Sequence, residues 1–236
     1  MFKNIARNLA LLSVVMMPPS AFAHFVAGVQ MSGNWLQDME NRTVDIAQDG
    51  VIDEFIPDND TNQLGWGLFL GYEWHNIVKA WDLQLGLGYD AVDLHDIQGE
   101  IFGNADPTFH ALDYQYDMLH QRLNAEFKLL REFDVWYPYI TANMGVAWNK
   151  TEDYTEESVI PGELPRTDLF SGTTQANFTY GVGFGIERAL GKQWRVGLGY
   201  LYTHAGNAIL ENNNTGDHLE QQVQFQELLL QISFNI

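Results

Sequence analysis

The stretch TQANFTYGVGFGIERALGKQWRVGLGYLYT, residues 174–203, decides how this chain folds. Apolar side chains occupy every second position from Ala176 to Ile186, and again from Trp194 to Tyr202. A period of two residues indicates a β-strand, because successive side chains of a strand point to opposite faces. The two runs are separated by a short segment containing Gly191, so they predict an antiparallel β-hairpin.

The second face of this hairpin indicates its surroundings. It carries mostly glycine, threonine and asparagine, where a soluble sandwich would carry charged and large polar side chains. Small residues suit the crowded lumen of a narrow barrel, and a broad apolar face with Trp and Tyr near its ends suits lipid. We interpret the hairpin as two strands of an outer-membrane β-barrel. A soluble lipocalin-like barrel is the alternative, but it places apolar residues inside and leaves the glycines unexplained.

The first 23 residues have the form of a secretory signal peptide. Lys3 and Arg7 precede a short apolar run, and Ala-Phe-Ala at 21–23 matches an A-x-A cleavage site before His24. The apolar run is too short to cross a bilayer as a helix, and no other segment is continuously apolar for about 18 residues. We therefore expect residues 1–23 to be removed on export and residues 24–236 to form the outer-membrane barrel domain.

Composition narrows the class further. The chain has no cysteine, which excludes disulfides, a lipoprotein anchor and thiol chemistry. Its formal net charge is −19; without Lys3 and Arg7, 10 basic residues stand against 31 acidic residues, a net charge of −21. Such a charge argues against nucleic acid as a partner, because binding it requires basic surface. No motif for a cofactor is present, and we expect none.

Eight segments share the alternating pattern. They lie at 24–35, 63–74, 81–89, 113–129 and 135–148, in the two hairpin runs, and at 220–236. Long connections alternate with short ones, as in bacterial outer-membrane barrels with short periplasmic turns and long extracellular loops. Around Tyr114 and Tyr116 the apolar residues are out of phase with their strand, which predicts a bulge there. The fold class predicted is all-β, an eight-stranded antiparallel transmembrane β-barrel.

These features resemble the small eight-stranded bacterial outer-membrane barrels: the OmpA-like transmembrane domain, OmpX and the opacity-type surface proteins. The resemblance covers the whole mature chain. It rests on the signal peptide, on Pro138-Tyr139-Ile140, on the glycine alternations at 181–185 and 197–200, and on the C-terminal strand. The family usually ends in Phe, and this chain ends in Ile236. The resemblance implies contact with outer-membrane lipid and lipopolysaccharide, and insertion by the barrel-assembly machinery.

Charged residues fall on the lumen face of the predicted strands. Glu187 and Arg195 lie symmetrically about Gly191, so we predict that they form a cross-strand ion pair near the periplasmic end. The other residues assigned to lumen ion pairs are Arg122, Glu227, Lys128 and Asp82. An eight-stranded interior is just wide enough for side chains to fill. A polar core held by ion pairs is one interpretation, and a gated, narrow ion path with Arg122 opposite Glu227 is the other.

The long connections are acidic, with 19 acidic and 3 basic residues in the four segments. Solvated, mutually repelling loops are one interpretation. Divalent-cation binding, including bridges to lipopolysaccharide phosphates, is the other. Asp58, Asp60 and Asn62 have the spacing that opens a calcium-binding loop, but the glycine and the closing Glu of that motif are missing.

Three function classes remain open. A non-enzymatic surface protein, serving adhesion or envelope integrity through host or environmental ligands, is the leading hypothesis. A narrow porin-like channel for ions or small solutes is the alternative. A lipid-modifying or proteolytic enzyme is the third class, since His95-Asp96 and Asp217-His218 could imitate a protease dyad. No serine of the mature chain lies in a nucleophile-elbow context, so no catalytic residue is assigned.

Overall fold

The computed structural model describes residues 23–37, 39–46, 52–58, 62–162, 164–166 and 168–236. The predicted signal peptide lies outside this part of the chain, apart from Ala23. Eleven strands form one sheet. They are β1 (Ala23–Gln37), β2 (Arg42–Val44), β3 (Asp53–Pro57), β4 (Asn62–Val78), β5 (Trp81–Phe102), β6 (His110–Arg131), β7 (Trp136–Ser158), β8 (Phe170–Gly172), β9 (Thr174–Leu190), β10 (Trp194–Asn212) and β11 (His218–Asn235).

Eight long strands close into a barrel. Their hydrogen-bonded order is β5-β4-β1-β11-β10-β9-β7-β6, and the pairing of β6 with β5 completes the ring. Every pairing is antiparallel, including the seam between β1 and β11. The prediction of an eight-stranded antiparallel transmembrane barrel is confirmed. Within the described ranges, no helix is long and apolar enough to cross a bilayer.

An apolar belt surrounds the lower part of the barrel. Its side chains point away from the lumen and stay exposed on the protein surface, as lipid-facing residues do. Every long strand contributes to the belt. Its members include Val29, Met31, Leu64, Trp66, Leu68, Leu70, Leu87, Leu123, Phe127, Ile140, Met144, Phe178, Val182, Phe184, Leu198, Leu228, Leu230 and Ile232.

Above the belt the strands continue into the extracellular space. The segments 94–112, 149–173 and 204–219, predicted as long loops, are mostly extensions of β5, β6, β7, β10 and β11. This part of the prediction was wrong because the outer face of the extension is polar, so its sequence lacks the apolar alternation of a lipid-facing strand. We call this part of the barrel the extracellular extension.

Bulges in three strands exchange the inner and outer faces at the base of the extension. The register shifts after Leu94 in β5, near Asp153 in β7 and after His204 in β10. Asp96, Asp153 and Gly206 lie in the extra segments with positive φ of 56°, 53° and 73°. An inserted residue moves every later side chain to the opposite face.

The bulge predicted near Tyr114 lies in a different strand. A register shift does occur at this level, between Gln115 and Asp117, but the extra residue is in β7, where Asp153 has the positive φ. Strand β6 keeps its alternation from Leu112 to Arg122, and its own extra residue is Ala111. Tyr114 and Tyr116 both point inward with 1% and 2% of their surface exposed. In the membrane the apolar residues of β6 face outward, whereas Tyr114 and Tyr116 are apolar residues that face inward, because the interior becomes apolar at this height.

The barrel therefore has two interiors of opposite character. The lower one, the polar lumen, is filled by buried polar and charged side chains: Asn34, Glu73, Asp82, Gln84, Asp90, Arg122, Asn124, Lys128, Glu187, Arg195, Thr203 and Glu227. The upper one, the extracellular core, is apolar: Leu36, Phe55, Val92, Leu94, Ile97, Ile101, Leu112, Tyr114, Tyr116, Met118, Phe170, Leu210, Leu219, Val223 and Phe225.

Candidate functional site

An arginine crosses the middle of the polar lumen. Arg122 on β6 donates two parallel hydrogen bonds to Glu227 on β11, from Nη1 to Oε1 at 2.6 Å and from Nη2 to Oε2 at 2.9 Å. Its Nε donates to Asp90 Oδ2 at 2.9 Å, and Nη1 also donates to Thr203 Oγ1 at 2.8 Å. Arg122 is only 2% exposed, so this cluster links β5, β6, β10 and β11 through the lumen. Bidentate contacts of this kind fix both geometry and position.

A second charged cluster lies closer to the periplasm. Arg195 donates from Nη1 and Nη2 to the two carboxylate oxygens of Glu73, both at 2.7 Å. Lys128 Nζ donates to Glu187 Oε1 at 2.9 Å and to Gln231 Oε1 at 3.1 Å. Arg195 on β10 thus reaches a carboxylate across the lumen on β4, whereas Lys128 on β6 finds its carboxylate two strands away on β9.

The predicted register of the hairpin was wrong by two residues. Arg195 lies opposite Ala189 and Glu187 lies opposite Gly197, because the turn is centred beyond Gly191. A shift of two residues preserves the face of every side chain, so Glu187 and Arg195 both point into the lumen. They are diagonal neighbours with 3.8 Å between Arg195 Nη1 and Glu187 Oε2, while each has a shorter ion pair elsewhere.

Asp82 does not contact Lys or Arg among the described ion pairs. Its Oδ2 lies 3.0 Å from His75 Nδ1, and its Oδ1 accepts the backbone N–H of Asn76 at 2.9 Å. His75 Nδ1 also lies 3.3 Å from Glu73 Oε1. Glu73, His75 and Asp82 therefore offer one nitrogen and two carboxylate ligands at the periplasmic mouth of the lumen, with ligand atoms within 4.8 Å of one another.

Glycines on the lumen face make room for larger side chains. A Cβ placed on Gly185 or Gly199 would lie 2.5 Å and 2.2 Å from the hydroxyl oxygen of Tyr139. Tyr139 fills this space, and its hydroxyl donates to Gln231 Oε1 at 3.2 Å. The glycine face noted in the sequence therefore indicates a crowded lumen.

The extracellular core is closed by aromatic rings and by one polar bridge. Phe55 on β3 packs against Tyr114 and Phe170 with centroids 5.5 and 6.0 Å apart. The Tyr116 hydroxyl donates to Gln221 Oε1, and Gln221 Nε2 donates to the Tyr114 oxygen at 3.0 Å. Burial raises the pKa of Tyr114, so its phenol remains neutral.

Arg166 secures the top of the extension. Its Nη1 donates to Asp53 Oδ2 at 2.7 Å and its Nε donates to Glu156 Oε2 at 2.9 Å. Burial lowers the pKa of this guanidinium, but hydrogen bonds and charge from Glu156 and Asp53 outweigh burial and raise the pKa overall. The short strand β3 is thereby fixed to β7.

The outer surface of the extension carries an acidic cleft. It has a volume of ≈ 470 Å³ and lies beside β3, β5, β6 and β7. Glu100, Asp113 and Glu157 are among its lining residues. Of the proposed calcium motif, Asp58 also lines this cleft and Asn62 begins β4, whereas Asp60 lies outside the described residues. The cleft would attract cationic groups.

The histidines considered for catalysis have other partners. His95 Nδ1 lies 3.0 Å from Asp117 Oδ2, and the backbone N–H of Asp96 donates to the same carboxylate. His218 Nε2 lies 3.8 Å from Glu220 Oε2. Among the hydrogen bonds of the described residues, none joins a histidine to a serine.

The sequence patterns do not identify Asp90 as part of the polar lumen, and they do not identify the partners of Thr203 and Glu73. Asp90 was omitted because its predicted strand ended at residue 89, although Asp90 continues the inward positions of β5. Thr203 lies on the face of small hairpin residues but bonds Arg122, and Glu73 pairs with Arg195 from a strand distant in sequence. The even-numbered inward positions of β5 identify Asp90. Pairing across the barrel depends on strand tilt and stagger, which cannot be read from the alternation of side chains.

Comparison with known proteins agrees with this architecture. The sequence model of the outer membrane protein beta-barrel domain matches residues 8–231. Comparison with curated proteins finds no match. Among solved structures, neisserial surface protein A is similar, with 12% identity, 89% of this chain and 96% of that chain covered, and a TM-score of 0.49.

Two further solved structures show the same kind of likeness. OprG from Pseudomonas aeruginosa has 12% identity, with 92% of this chain and 96% of that chain covered and a TM-score of 0.43. The outer membrane protease OmpT from Escherichia coli has 8% identity, with 94% and 100% covered and a TM-score of 0.43. With the family match spanning nearly the whole sequence, the chain belongs to the outer membrane protein beta-barrel domain family and resides in the outer membrane.

Proposed function

We propose that this protein is a non-enzymatic surface protein with a sealed lumen, whose acidic extracellular extension contacts host, environmental or neighbouring envelope molecules. The observation that carries the proposal is the Arg122 cluster, which joins facing walls at mid-height below the extracellular core. A passing ion would have to displace a bidentate ion pair and then cross an apolar interior. The construction favours an interaction role in adhesion or envelope integrity.

The extension is built as a stable platform for such contacts. Its core is apolar, while its predicted loop segments hold 19 acidic and 3 basic residues. A rigid acidic surface attracts cationic partners, and it meets lipopolysaccharide phosphates favourably only when divalent cations bridge the two. We expect binding of basic partners to weaken as salt increases, because screening reduces attraction between exposed charges.

Conductance in planar bilayers tests the sealed lumen. The refolded wild-type protein should give no steady openings at voltages where a general porin conducts. Arg122→Ala, with its folding verified by heat-modifiable gel mobility, is the matched variant because it removes the cation that joins the walls. Steady openings of the wild-type protein would reject the sealed-lumen proposal in favour of the porin-like channel.

Surface binding tests the interaction role. Cells or vesicles carrying the wild-type protein should bind a basic probe such as polylysine more strongly than the triple variant Glu100→Gln, Asp113→Asn and Glu157→Gln. A variant with Glu132→Gln and Asp134→Asn at the periplasmic side is the control. Turnover in a protease or lipid-hydrolysis screen of the purified wild-type protein would instead favour the enzyme class.

Export and insertion are also part of the proposal. Processing after Ala23 would leave His24 as the first residue, and intact-mass measurement of protein isolated from outer membranes tests this. Strand β11 has outward apolar residues at alternate positions, and Ile236, one residue beyond the strand, continues them, which suits recognition by the barrel-assembly machinery. Ile236→Asp should lower the amount inserted in cells while leaving refolding into detergent intact.

A further inference from the structure

We propose that the periplasmic mouth of the barrel binds a divalent transition-metal ion of the zinc class through His24, Glu73, His75 and Asp82. Three ligand atoms already converge: His75 Nδ1 lies 3.3 Å from Glu73 Oε1 and 3.0 Å from Asp82 Oδ2. All three atoms lie within 4.8 Å of one another. Atoms around a four-coordinate ion have separations of roughly 3–4 Å, given metal–ligand distances of about 2.0–2.2 Å.

The two carboxylates are held in place by other groups. Glu73 is gripped by both Nη atoms of Arg195 at 2.7 Å, and Asp82 Oδ1 accepts the Asn76 N–H at 2.9 Å. Both side chains are almost completely buried, at 0% and 1% exposure. Ligands fixed by such outer contacts need little rearrangement to receive an ion.

His24 supplies the fourth ligand from the first strand. It lies directly opposite Glu73 in the pairing of β1 with β4. Its ring centroid is 5.1 Å from that of His75, with the rings tilted by 58°. Two imidazoles on one tetrahedral ion have centroids roughly 5 Å apart when each metal–nitrogen bond is about 2.0–2.1 Å. The ring separation therefore matches that of two histidines sharing an ion, and His24 would turn its nitrogen toward the three atoms that already converge.

The surroundings provide access and select the metal. His24 and His75 line an open cleft of ≈ 360 Å³ that also contains Tyr137 and Lys192, so ions can enter from the periplasm. Two imidazoles with two carboxylates suit zinc, copper, iron or nickel, whereas calcium and magnesium prefer oxygen ligands alone. Glu73 is paired with Arg195, which leaves the Asp82 carboxylate next to the imidazole of His75 as the anionic ligand at the mouth.

A bound ion would fasten the start of β1 to the end of β4 and the start of β5. These three strands carry the four ligands, and β4 is bulged between Trp74 and Val78, where its pairing with β5 is interrupted. Binding to the folded state alone stabilises that state in proportion to the logarithm of free metal concentration. The site acts on barrel stability and is independent of the sealed-lumen proposal.

Isothermal titration of Zn²⁺ into the refolded barrel in detergent micelles tests the site. We expect one saturable Zn²⁺ per chain in wild type, a loss of about tenfold or more in affinity for His75→Ala and Asp82→Asn, and no change for the control His218→Ala. The visible spectrum of bound Co²⁺ should show tetrahedral coordination in wild type and lose it in His75→Ala. Excess Mg²⁺ should not displace the ion.

His24→Ala keeps the test open if the lumen variants fail to fold, because His24 is exposed and its loss leaves the Glu73–Arg195 pair intact. It should also weaken Zn²⁺ binding. Absence of saturable binding by wild type would overturn the proposal. So would equal affinity in wild type, His24→Ala and His75→Ala, or complete displacement by Mg²⁺, which would assign the ion to the acidic outer surface.

Discussion

The polar lumen and the extracellular core belong to one barrel but have opposite polarity: the lumen is polar beneath an apolar outer face, and the core is apolar beneath a polar outer face. In the membrane, Leu87 on β5 faces lipid with 49% of its surface exposed, whereas seven residues later Leu94 is 0% exposed inside the barrel. Lipid is as apolar as a protein core, so there the barrel keeps its charges inside and pairs them. Water surrounds the extension, and the apolar residues move inward. The solvent outside, rather than the strand itself, determines what the interior contains.

The two interiors are also stabilised differently. Burial of apolar surface stabilises the extracellular core and tolerates modest errors of geometry. The polar lumen depends on complete pairing, because a charge left without its partner in a dry interior is very unfavourable. The comparison predicts that single substitutions will be most damaging where they leave buried charge.

The largest effect is expected for Arg122→Ala. It leaves Asp90 and Glu227 as neighbouring carboxylates in the lumen, which should lower the free energy of unfolding by about 3–5 kcal/mol. Urea unfolding in lipid vesicles measures this, with the exposed turn variant Lys192→Ala as a control of unchanged stability. Equal midpoints for the two variants would show that the lumen is wet enough to solvate both carboxylates.

A matched leucine pair in β5 compares the two environments next. Leu94→Ala opens a cavity in the extracellular core and should lower the free energy of unfolding by about 2–5 kcal/mol. Leu87→Ala should be less destabilising, because lipid chains close over the lost volume and no cavity remains. Urea unfolding in vesicles ranks the two, and protease digestion reports loosening of the extension. A larger effect at Leu87 would contradict the proposed boundary between belt and extension.

The pairing of Arg195 gives a smaller, sharper test. Double-mutant cycles should give a coupling of about 0.5–3 kcal/mol for Arg195 with Glu73, and less for Arg195 with Glu187. The distances of 2.7 Å and 3.8 Å are the reason. Measurements with a chelator present keep metal binding from contributing. Stronger coupling to Glu187 would show that Glu187, rather than Glu73, is the main partner of Arg195.

Sequence reasoning succeeded where one rule held along a whole strand. The belt was readable because residues such as Phe178, Val182 and Phe184 alternate against one uniform solvent. It failed at the bulges: on β5, Leu87 and Ile97 are both odd-numbered, yet the extra residue places one in lipid and the other inside. An inserted residue leaves the alternation intact on either side but reverses which face is apolar. The segment after the bulge therefore does not continue the pattern of the strand, and it resembles a loop in the sequence.

The charged residues of the lumen follow their strand parity but not a local pairing rule. The inward face of Glu187 and Arg195 followed from parity, which a shift of two residues does not alter. Their partners were beyond reach, because Glu73 and Lys128 arrive from strands far away in the sequence. Closure of the barrel brings these strands together, and the stagger of closure is set by all eight strands at once.

The smallest effect concerns His95 at the base of the extension, where the exterior is water. Its hydrogen bond to Asp117 raises the pKa of His95 above 6.5. A raised pKa means that the pair stabilises the fold below the ordinary histidine pKa, and that this contribution disappears as pH rises through the raised value. NMR titration should show a lower pKa for His95 in Asp117→Asn, with Asp113→Asn as the control that leaves it unchanged. Because His95 is exposed, added salt should reduce the shift, whereas the buried Arg122 cluster should be far less sensitive to salt. An unchanged His95 pKa in Asp117→Asn would show that His95 does not form an ion pair with Asp117.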